Sequence, residues 1–406
     1  MSDSCEIAVV GGGLAGMTAA LAAASRGYRT SLIAPAVRRA DGRTTALMMP
    51  SIDMLAELDV WPKVSDTAAP LRSMRIIDST RRLIRAPTVT FHASELDIDA
   101  FGYNIPNSPL LKALLDRAMS HPGVRIVEAS LDAAVETDQG VELLLDSGET
   151  ILCRLAVGAD GRNSTIRSAA GIGVHDWRYP QTALVLNFSH QFPHANTSNE
   201  FHTEQGPFTQ VPLPGLNSSL VWAREPSEAD AMRALSPEVL AEKIEMQMQS
   251  MLGRVTVESE VQCFPFSGMI ARSFGRGRMP LVGEAGHVFP PIGAQGLNLG
   301  LRDVLDLVSA LEQAGGPDNA HDVVQRYDKS RRNDVVSRTA SVDMLNRSLL
   351  HSFLPVQLLR STGLAALSAI PPLRNFAMRE GMEPGSGFGL LKDWRPEKYR
   401  REASRS

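Results

Sequence analysis

The chain of 406 residues is long enough for two or three domains, and its 43% hydrophobic and 21% charged residues are typical of a globular protein. These proportions exclude a collagen-like, low-complexity or wholly disordered chain. The formal net charge of −4 gives no electrostatic reason to expect nucleic-acid binding. The three cysteines, Cys5, Cys153 and Cys263, are scattered, which argues against a disulfide scaffold, a zinc site and a dithiol redox enzyme.

The beginning of the chain has the pattern of a strand, a helix and a second strand. Apolar runs at residues 5–10 and 28–33 flank an Ala- and Leu-rich segment at 14–25. The turn before the helix reads Gly11-Gly12-Gly13-Leu14-Ala15-Gly16, a GxGxxG sequence. In such a loop the first Gly permits a tight turn, the second lets a pyrophosphate approach the backbone, and the third lets the helix pack closely on the strand. The βαβ context therefore predicts a dinucleotide site rather than an ordinary glycine-rich turn.

One position departs from that pattern. The end of the second strand usually carries an Asp or Glu that binds the adenosine ribose. Here Ala34 follows Ile33 at that place. We therefore expect either that another group holds the ribose or that this contact is missing.

The middle of the chain alternates predicted strands and helices. Short β-prone runs at 72–99 precede a helix, three strands and a strand-rich region, at 108–120, 124–127, 141–145, 151–158 and 176–264. The last of these contains a helix at 237–251. We predict a two-domain α/β fold with a helical tail. Its parts are a Rossmann-like dinucleotide domain at 1–71, 100–175 and 265–343, a β-rich substrate domain at 72–99 and 176–264, and a helical, basic tail at 344–406.

A second motif follows the predicted strand 151–158. Asp160 and Gly161 stand between that strand and a short predicted helix at 164–170. On its own, the motif favours an Asp that caps the helix. Beside a dinucleotide loop, it also suits a residue that contacts the ligand.

The third motif is the longest. A predicted strand at 279–283 leads into Gly283-Glu284-Ala285-Gly286-His287, and Pro290-Pro291 and Gly296-Leu297-Asn298 then lead into a predicted helix at 297–313. An acidic residue after a strand, followed by a helix N-terminus, suits a ligand with a sugar chain, a pyrophosphate and a flat ring whose reduced form is anionic. His287 is either an acid–base group or a histidine that orients the loop.

Together these motifs resemble those of the flavoprotein aromatic hydroxylases of the p-hydroxybenzoate hydroxylase type, and are most similar to the ubiquinone-biosynthesis hydroxylases. The resemblance covers residues 1–345 and includes Arg43-Thr44-Thr45-Ala46-Leu47 and Gly102-Tyr103-Asn104-Ile105-Pro106-Asn107. The family usually has Asp where this chain has Glu284, which keeps the charge and shifts the carboxylate. The resemblance implies that FAD contacts Gly11, Gly13, Leu14, Ala15, Gly16, Arg43, Asn107, Asp160, Gly161, Gly283, Glu284, Pro291, Gly296, Leu297 and Asn298.

The activity that the resemblance implies is a monooxygenation with NAD(P)H and O2. A C4a-hydroperoxide of the reduced flavin would hydroxylate the ring of a polyprenylated phenol in ubiquinone biosynthesis. That chemistry requires no metal, and the residues name no catalytic acid or base. The alternatives are a hydroxylase of another aromatic small molecule and a flavoprotein-like scaffold subunit of a quinone-biosynthesis complex.

The tail at 344–406 differs from the rest in composition. It carries ten basic and five acidic residues among apolar segments. Such a segment fits contact with an anionic membrane surface or with other ubiquinone-biosynthesis proteins. The alternative is a helical cap on the dinucleotide domain. Since neither a signal peptide nor a membrane-spanning stretch is evident, we expect a cytoplasmic protein, either free or peripheral at the inner face of the membrane.

Overall fold

The structure is a computed structural model that describes residues 3–36, 42–81, 85–290, 295–350, 362–363, 365–367 and 369–382. The helices are α1 Leu14–Ser25, α2 Met49–Glu57, α3 Asn107–Ser120, α4 Thr165–Ala169, α5 Pro226–Arg233, α6 Pro237–Gln247, α7 Gln295–Ala314, α8 Ala320–Leu350 and α9 Pro371–Met382. The strands are β1 Asp3–Val10, β2 Thr30–Ile33, β3 Thr44–Met48, β4 Ala69–Pro70, β5 Ser73–Asp78, β6 Val89–His92, β7 Gly102–Pro106, β8 Val124–Val127, β9 Leu131–Thr137, β10 Gly140–Leu145, β11 Thr150–Gly158, β12 Val174–His190, β13 Thr197–Thr203, β14 Gly206–Leu213, β15 Asn217–Arg224, β16 Val255–Val257, β17 Gln262–Ala271, β18 Gly275–Arg276, β19 Met279–Pro280 and β20 His287–Val288. The predicted α/β fold class is confirmed.

A six-stranded sheet carries the glycine-rich loop. Its strand order is β8-β2-β1-β11-β10-β9, in which β8, β2, β1 and β11 run parallel. Successive side chains of β1 enter different cores: Ile7 and Val9 pack with α1, α3 and α7, and Ala8 and Val10 pack with α4 and the segment around Leu281. Because both faces of β1 are buried at residues 7–10, this part of the strand is apolar without alternation.

A nine-stranded sheet contains strands from two separate parts of the chain. Its order is β20-β17-β12-β15-β14-β13-β5-β6, and β16 pairs with β12. Its back face packs on α5 and α6 through large side chains such as Leu186, Phe208 and Trp222. Its front face carries smaller, half-buried side chains, among them Val185 and Val221.

A small sheet of β3, β7 and β4 joins the two large ones. Asn104 of β7 donates through Nδ2 to the carbonyl oxygen of Pro212, at 2.9 Å. Thr44 of β3 donates through Oγ1 to Oγ of Ser219, at 2.9 Å. These bonds fix β7 and the first residue of β3 against the nine-stranded sheet.

The described part of the tail includes helix α9, which packs on β6. Met378 and Met382 are buried against Phe91 and Met49. Arg374 donates through Nη2 to Oε1 of Glu95, at 2.7 Å. None of the helices in the described part of the chain combines the length and the apolar character that crossing a membrane requires.

Two predicted elements are shorter in the structure. The helix predicted at 237–251 ends at Gln247, because Gln249 and Ser250 adopt left-handed conformations with φ of 55° and 54°. The strand predicted at 279–283 is only Met279–Pro280. Pro280 has no N–H to donate to a ladder, and Gly283 turns the chain with φ of 62°.

Candidate cofactor site

The three motifs meet at the carboxyl edge of the six-stranded sheet. The Ala159 amide, just after β11, donates to the carbonyl oxygen of Val10 at the end of β1, at 2.8 Å. The Val282 amide donates to the carbonyl oxygen of Gly158, also at 2.8 Å. The loops that follow residues 10, 158 and 282 therefore begin side by side, which is where open parallel sheets bind ligands.

The glycines of the first loop are needed for two different reasons. A Cβ at Gly11, whose φ is 126°, would lie 2.1 Å from the carbonyl oxygen of Ala159, and one at Gly16 would lie 2.0 Å from that of Gly11. A Cβ at Gly13 would meet no described atom within 4 Å, and its φ of −78° suits any residue. The fold therefore requires Gly11 and Gly16, whereas Gly13 leaves open space before the N-terminus of α1.

Ala34 closes the position where an acidic residue is usual. Its side chain is buried, and a Cβ at Gly12 would lie 2.7 Å from its Cβ. The amide of Gly11 donates to the carbonyl oxygen of Ile33, at 2.8 Å, so the end of β2 lies directly against the glycine-rich loop. Among the described residues at the end of β2, none supplies a carboxylate for a ribose.

Asp160 caps a helix and also keeps one oxygen available. Its Oδ2 accepts hydrogen bonds from the amides of Thr165 and Ile166, at 2.7 and 3.2 Å, so the capping interpretation holds. Its Oδ1 is buried and has no hydrogen-bond partner among the described residues. A buried acceptor without a donor is costly, and Gly161 beside it leaves open space at its own Cβ position. The arrangement fits a ligand that brings a donor.

The turn after residue 282 contacts both α1 and α7 through small residues. A Cβ at Gly283, whose φ is 62°, would lie 3.2 Å from Cβ of Ala15, and one at Gly300 would lie 3.2 Å from Cα of Gly283. Glu284 is exposed on this turn, and no described residue bonds to its carboxylate. The starts of two helices and a free acidic group thus lie close together.

The residues predicted on β3 and around it form a second group. Asn298 accepts at Oδ1 from the amide of Met48 and the hydroxyl of Ser51, both at 2.8 Å, and donates through Nδ2 to the carbonyl oxygen of Ala46, at 2.8 Å. Its side chain therefore binds α7 to β3 and α2, a structural role that the sequence did not reveal.

Asn107 and Arg43 belong to the same group. Thr45 donates to Oδ1 of Asn107 at 2.6 Å, and the amide of Asn107 donates to the carbonyl oxygen of Arg43 at 2.9 Å. The guanidinium of Arg43 lies 5.4 Å from the ring centre of Phe264 on the nine-stranded sheet. Gly296 and Leu297 lie in the first turn of α7, and Pro291 lies outside the described residues.

Three charged or polar side chains behind the turn form a buried cluster: His287, Asp303 and Arg331. His287 is 2% exposed and its Nε2 lies 2.7 Å from Oδ2 of Asp303. Arg331 donates through Nε to Oδ1 of Asp303, also at 2.7 Å. Burial lowers the pKa of Arg331, but the carboxylates around it, Asp303 first, raise it more, so the net pKa is above the ordinary value.

The cluster favours the structural interpretation of His287. Sequence reasoning did not single out Asp303 or Arg331. The available signal was a charged residue on the buried face of each helix: Asp303 directly precedes Val304 on α7, and Arg331 lies one turn after Tyr327 on α8.

Comparisons with known proteins agree on a flavin-binding family. The family profile described as an FAD binding domain matches residues 4–341. The chain is 31% identical over 387 residues to the ubiquinone hydroxylase UbiL of Rhodospirillum rubrum, which covers 93% of this chain and 89% of that protein. It is 31% identical over 386 residues to the 3-demethoxyubiquinol 3-hydroxylase of Escherichia coli, which covers 92% of this chain and 97% of that protein.

Solved structures agree on the fold. The p-nitrophenol 4-monooxygenase PnpA of Pseudomonas putida DLL-E4 superposes with a TM-score of 0.75 at 18% identity, covering 97% of this chain and 100% of that one. This likeness concerns the fold alone.

Proposed function

The chain belongs to the FAD binding domain family and, within it, to the ubiquinone hydroxylases, and we propose that it hydroxylates the aromatic ring of a polyprenylated phenol in ubiquinone biosynthesis. FAD is its cofactor, and NAD(P)H and O2 are the co-substrates that this activity requires. The relatives named above support the substrate class. The observation that carries the site is a combination of features at one sheet edge: open space at Gly13, and carboxylate oxygens of Asp160 and Glu284 that have no hydrogen-bond partner among the described residues.

The residues at that edge would hold FAD in sections. The pyrophosphate would lie at Gly11, Gly13, Leu14, Ala15 and Gly16, where the free amides of α1 and the positive end of its dipole attract anions. Asp160, Gly161, Gly283 and Glu284 would receive the hydroxyl groups of the sugar chain. Arg43, Asn107, Pro291, Gly296, Leu297 and Asn298 would surround the ring.

When bound, reduced FAD supplies the activation of O2 for transfer to an aromatic ring. The chain itself positions the groups and excludes water. The N-terminus of α7 is partly positive and stabilises negative charge placed near it. Asn298 keeps that terminus against β3 and α2, and so would help to hold the flavin ring in a fixed position.

The front face of the nine-stranded sheet offers the substrate surface. Val185, Thr209, Val221 and Phe264 are half-buried there. Asn187 of the same face donates through Nδ2 to the carbonyl oxygen of Gly42, at 3.1 Å, so the face lies against the segment that carries Arg43. Apolar walls around the reacting ring keep water away from it.

Delivery of a polyprenyl substrate is the proposed task of the tail. Helix α9 buries Met378 and Met382 against Phe91 and Met49, so it covers the predicted β-rich segment 72–99 as well as part of the predicted dinucleotide domain. Ile370 and Leu373 at its start are 48% and 40% exposed. Exposed apolar residues in a segment rich in basic ones suit an anionic membrane surface, and each Lys or Arg near such a surface adds about 1 kcal/mol.

The tail proposal can be tested without removing the helix. The double variant Ile370→Asp and Leu373→Asp should leave FAD content unchanged and lose co-sedimentation with anionic liposomes. The matched pair Val135→Asp and Leu144→Asp, also exposed but on the six-stranded sheet, should still co-sediment. If the wild type never sediments with liposomes but co-purifies with other ubiquinone-biosynthesis proteins, the tail is a protein contact instead.

The function itself can be tested in two steps. The purified protein should show a bound-flavin absorption spectrum, and the phenol should stimulate its oxidation of NAD(P)H. Deletion of the gene should then cause a prenylated intermediate one hydroxyl group short of the next to accumulate, as measured by mass spectrometry. An unchanged quinone profile in the deletion strain would exclude this substrate class, and a protein without flavin would favour the scaffold alternative.

A further inference from the structure

One buried carboxylate oxygen holds both ends of the turn that carries Glu284. Oδ2 of Asp303 accepts a hydrogen bond from the amide of Gly283, at 2.8 Å, and lies 2.7 Å from Nε2 of His287. Because a carboxylate can only accept, Nε2 of His287 carries the hydrogen. The first and the last residue of the five-residue turn are therefore fixed to a single atom.

The turn between these bonds has one exposed side chain. The amide of Gly286 donates to the carbonyl oxygen of Gly283, at 2.9 Å, which closes the turn. Ala285 and Gly286 are buried, and Glu284 is exposed. Asp303 holds both ends of the turn from inside the protein, while Arg167 and the amide of Ala271 donate to the carbonyl oxygens of Ala285 and Gly286, both at 2.8 Å. The direction of the Glu284 side chain depends on the two Asp303 bonds together with these.

Asp303 and Arg331 form an ion pair inside the protein, and removing both groups from water costs free energy. Asp303 is 0% exposed and Arg331 is 1% exposed, and a buried ion pair is often no more stable than apolar residues of the same volume. Arg331 is held in turn by Asp306 at 3.0 Å and by Asp334 at 2.7 Å. Stability alone does not explain such a network next to the cofactor edge, whereas a fixed turn geometry does.

We propose that Asp303 is a positioning residue which, through Gly283 and His287, orients Glu284 toward FAD and so sets the affinity for the cofactor. The inference rests on the cofactor site proposed above. The two hydrogen bonds from Gly283 and His287 to Asp303 are called the clamp from here on. In this proposal His287 is the second donor of the clamp rather than an acid or a base. Because Arg331 belongs to α8, the affinity for FAD becomes linked to the packing of that helix.

Three variants test the clamp by FAD titration of the apoprotein, with thermal unfolding of the apoprotein measured in parallel. His287→Leu removes the donor and should weaken FAD binding about tenfold or more, as expected for a lost hydrogen bond to a charged group. His287→Gln keeps a donor and should stay within about twofold of the wild type. Leu311→Ala, in the core of α7 and away from the turn, should lower the melting temperature and leave FAD affinity unchanged.

A double-mutant cycle shows whether the clamp acts through Glu284. In the background of Glu284→Gln, the effect of His287→Leu should shrink to about twofold, because coupled residues are not additive. Equal weakening in both backgrounds, or equal FAD affinity for Leu311→Ala and His287→Leu, would overturn the proposal. Should His287→Leu fail to fold, His287→Asn replaces it, because its amide is too short to reach Asp303. A wild type that binds no FAD would instead refute the cofactor site.

Discussion

The two large sheets build their functional sides in different ways. At the edge of the six-stranded sheet, backbone atoms come so close that only glycine fits at Gly11 and Gly16. On the front face of the nine-stranded sheet, single side chains from β12, β14, β15 and β17 form the surface.

This difference reflects what each side has to bind. A pyrophosphate is recognised by amides and by close approach of the backbone, and this restricts the residue type at particular positions. An apolar ring needs only shape and exclusion of water, which many combinations of side chains provide. The cofactor edge therefore leaves short motifs in the sequence, and the substrate face leaves none.

The largest loss of stability is expected for a substitution at Gly11. Gly11→Ala places a Cβ 2.1 Å from the carbonyl oxygen of Ala159 in a backbone with φ of 126°. Crowding and backbone strain together should lower the free energy of unfolding by at least about 3 kcal/mol. Urea denaturation of the apoprotein measures this, and Gly13→Ala is the matched control that should stay near the wild type. A stable Gly11→Ala variant would contradict the close contact between the two loops.

A substitution at Gly13 should change the free energy of unfolding little and should lower the affinity for FAD. Because its Cβ position is open, Gly13→Val should fold and unfold nearly as the wild type does. Its side chain would occupy the place of the pyrophosphate, so the affinity for FAD should fall at least about a hundredfold, or roughly 2.7 kcal/mol. Full flavin content in Gly13→Val would show that this loop does not hold the cofactor.

The same difference explains which features the sequence predicted. Helix α1 has the predicted bounds 14–25, and the GxGxxG loop lies at the end of β1 as expected. Glu284 lies on a turn beside that loop. These features depend on glycines whose replacement would clash, so the sequence marks them clearly.

Features built from side-chain packing were missed. Helix α2 follows Met48 directly, and sequence reasoning did not predict it, because its short apolar stripe resembles that of many loops. The bonds of Asn298 to β3 and the Asp303–Arg331 pair span about 250 and 28 residues of sequence. No local pattern records which distant residue completes such a bond, so these contacts require the folded structure.

An intermediate loss of FAD affinity is expected for a substitution at Glu284. Glu284→Ala should weaken FAD binding by about 1–3 kcal/mol, the range for a hydrogen bond to a charged group. Glu284→Asp, which keeps the charge, should be tolerated. Glu242→Ala, an exposed position on α6, is the control for a changed surface charge. Identical dissociation constants for the wild type, Glu284→Ala and Glu284→Asp would remove this residue from the cofactor site.

The smallest loss of stability is expected for a substitution where α9 covers β6. Arg374 bonds to Glu95 and lies over the ring of Phe91, with its guanidinium carbon 4.6 Å from the ring centre. Arg374→Met should therefore lower the free energy of unfolding at pH 7 by about 1 kcal/mol, the upper range for a partly exposed pair.

This last effect should also depend on pH, and the sign follows from Glu95. The hydrogen bond from Arg374 lowers the pKa of Glu95 below its ordinary value, which is about 4.3 in an unfolded chain. A carboxyl group with a lowered pKa stabilises the fold fully above its unfolded pKa, and this contribution is lost as the pH falls through the lowered pKa. Urea denaturation should show the full difference in the free energy of unfolding between wild type and Arg374→Met at pH 7 and pH 5, and a smaller difference at pH 3.

The control is Lys112→Met, which breaks the exposed pair with Asp116 on α3 and should lower the free energy of unfolding by only a few tenths of a kcal/mol at pH 7. A difference for Arg374→Met that is the same at all three pH values would mean that α9 is held by its methionines and Phe91 rather than by the charge of Glu95.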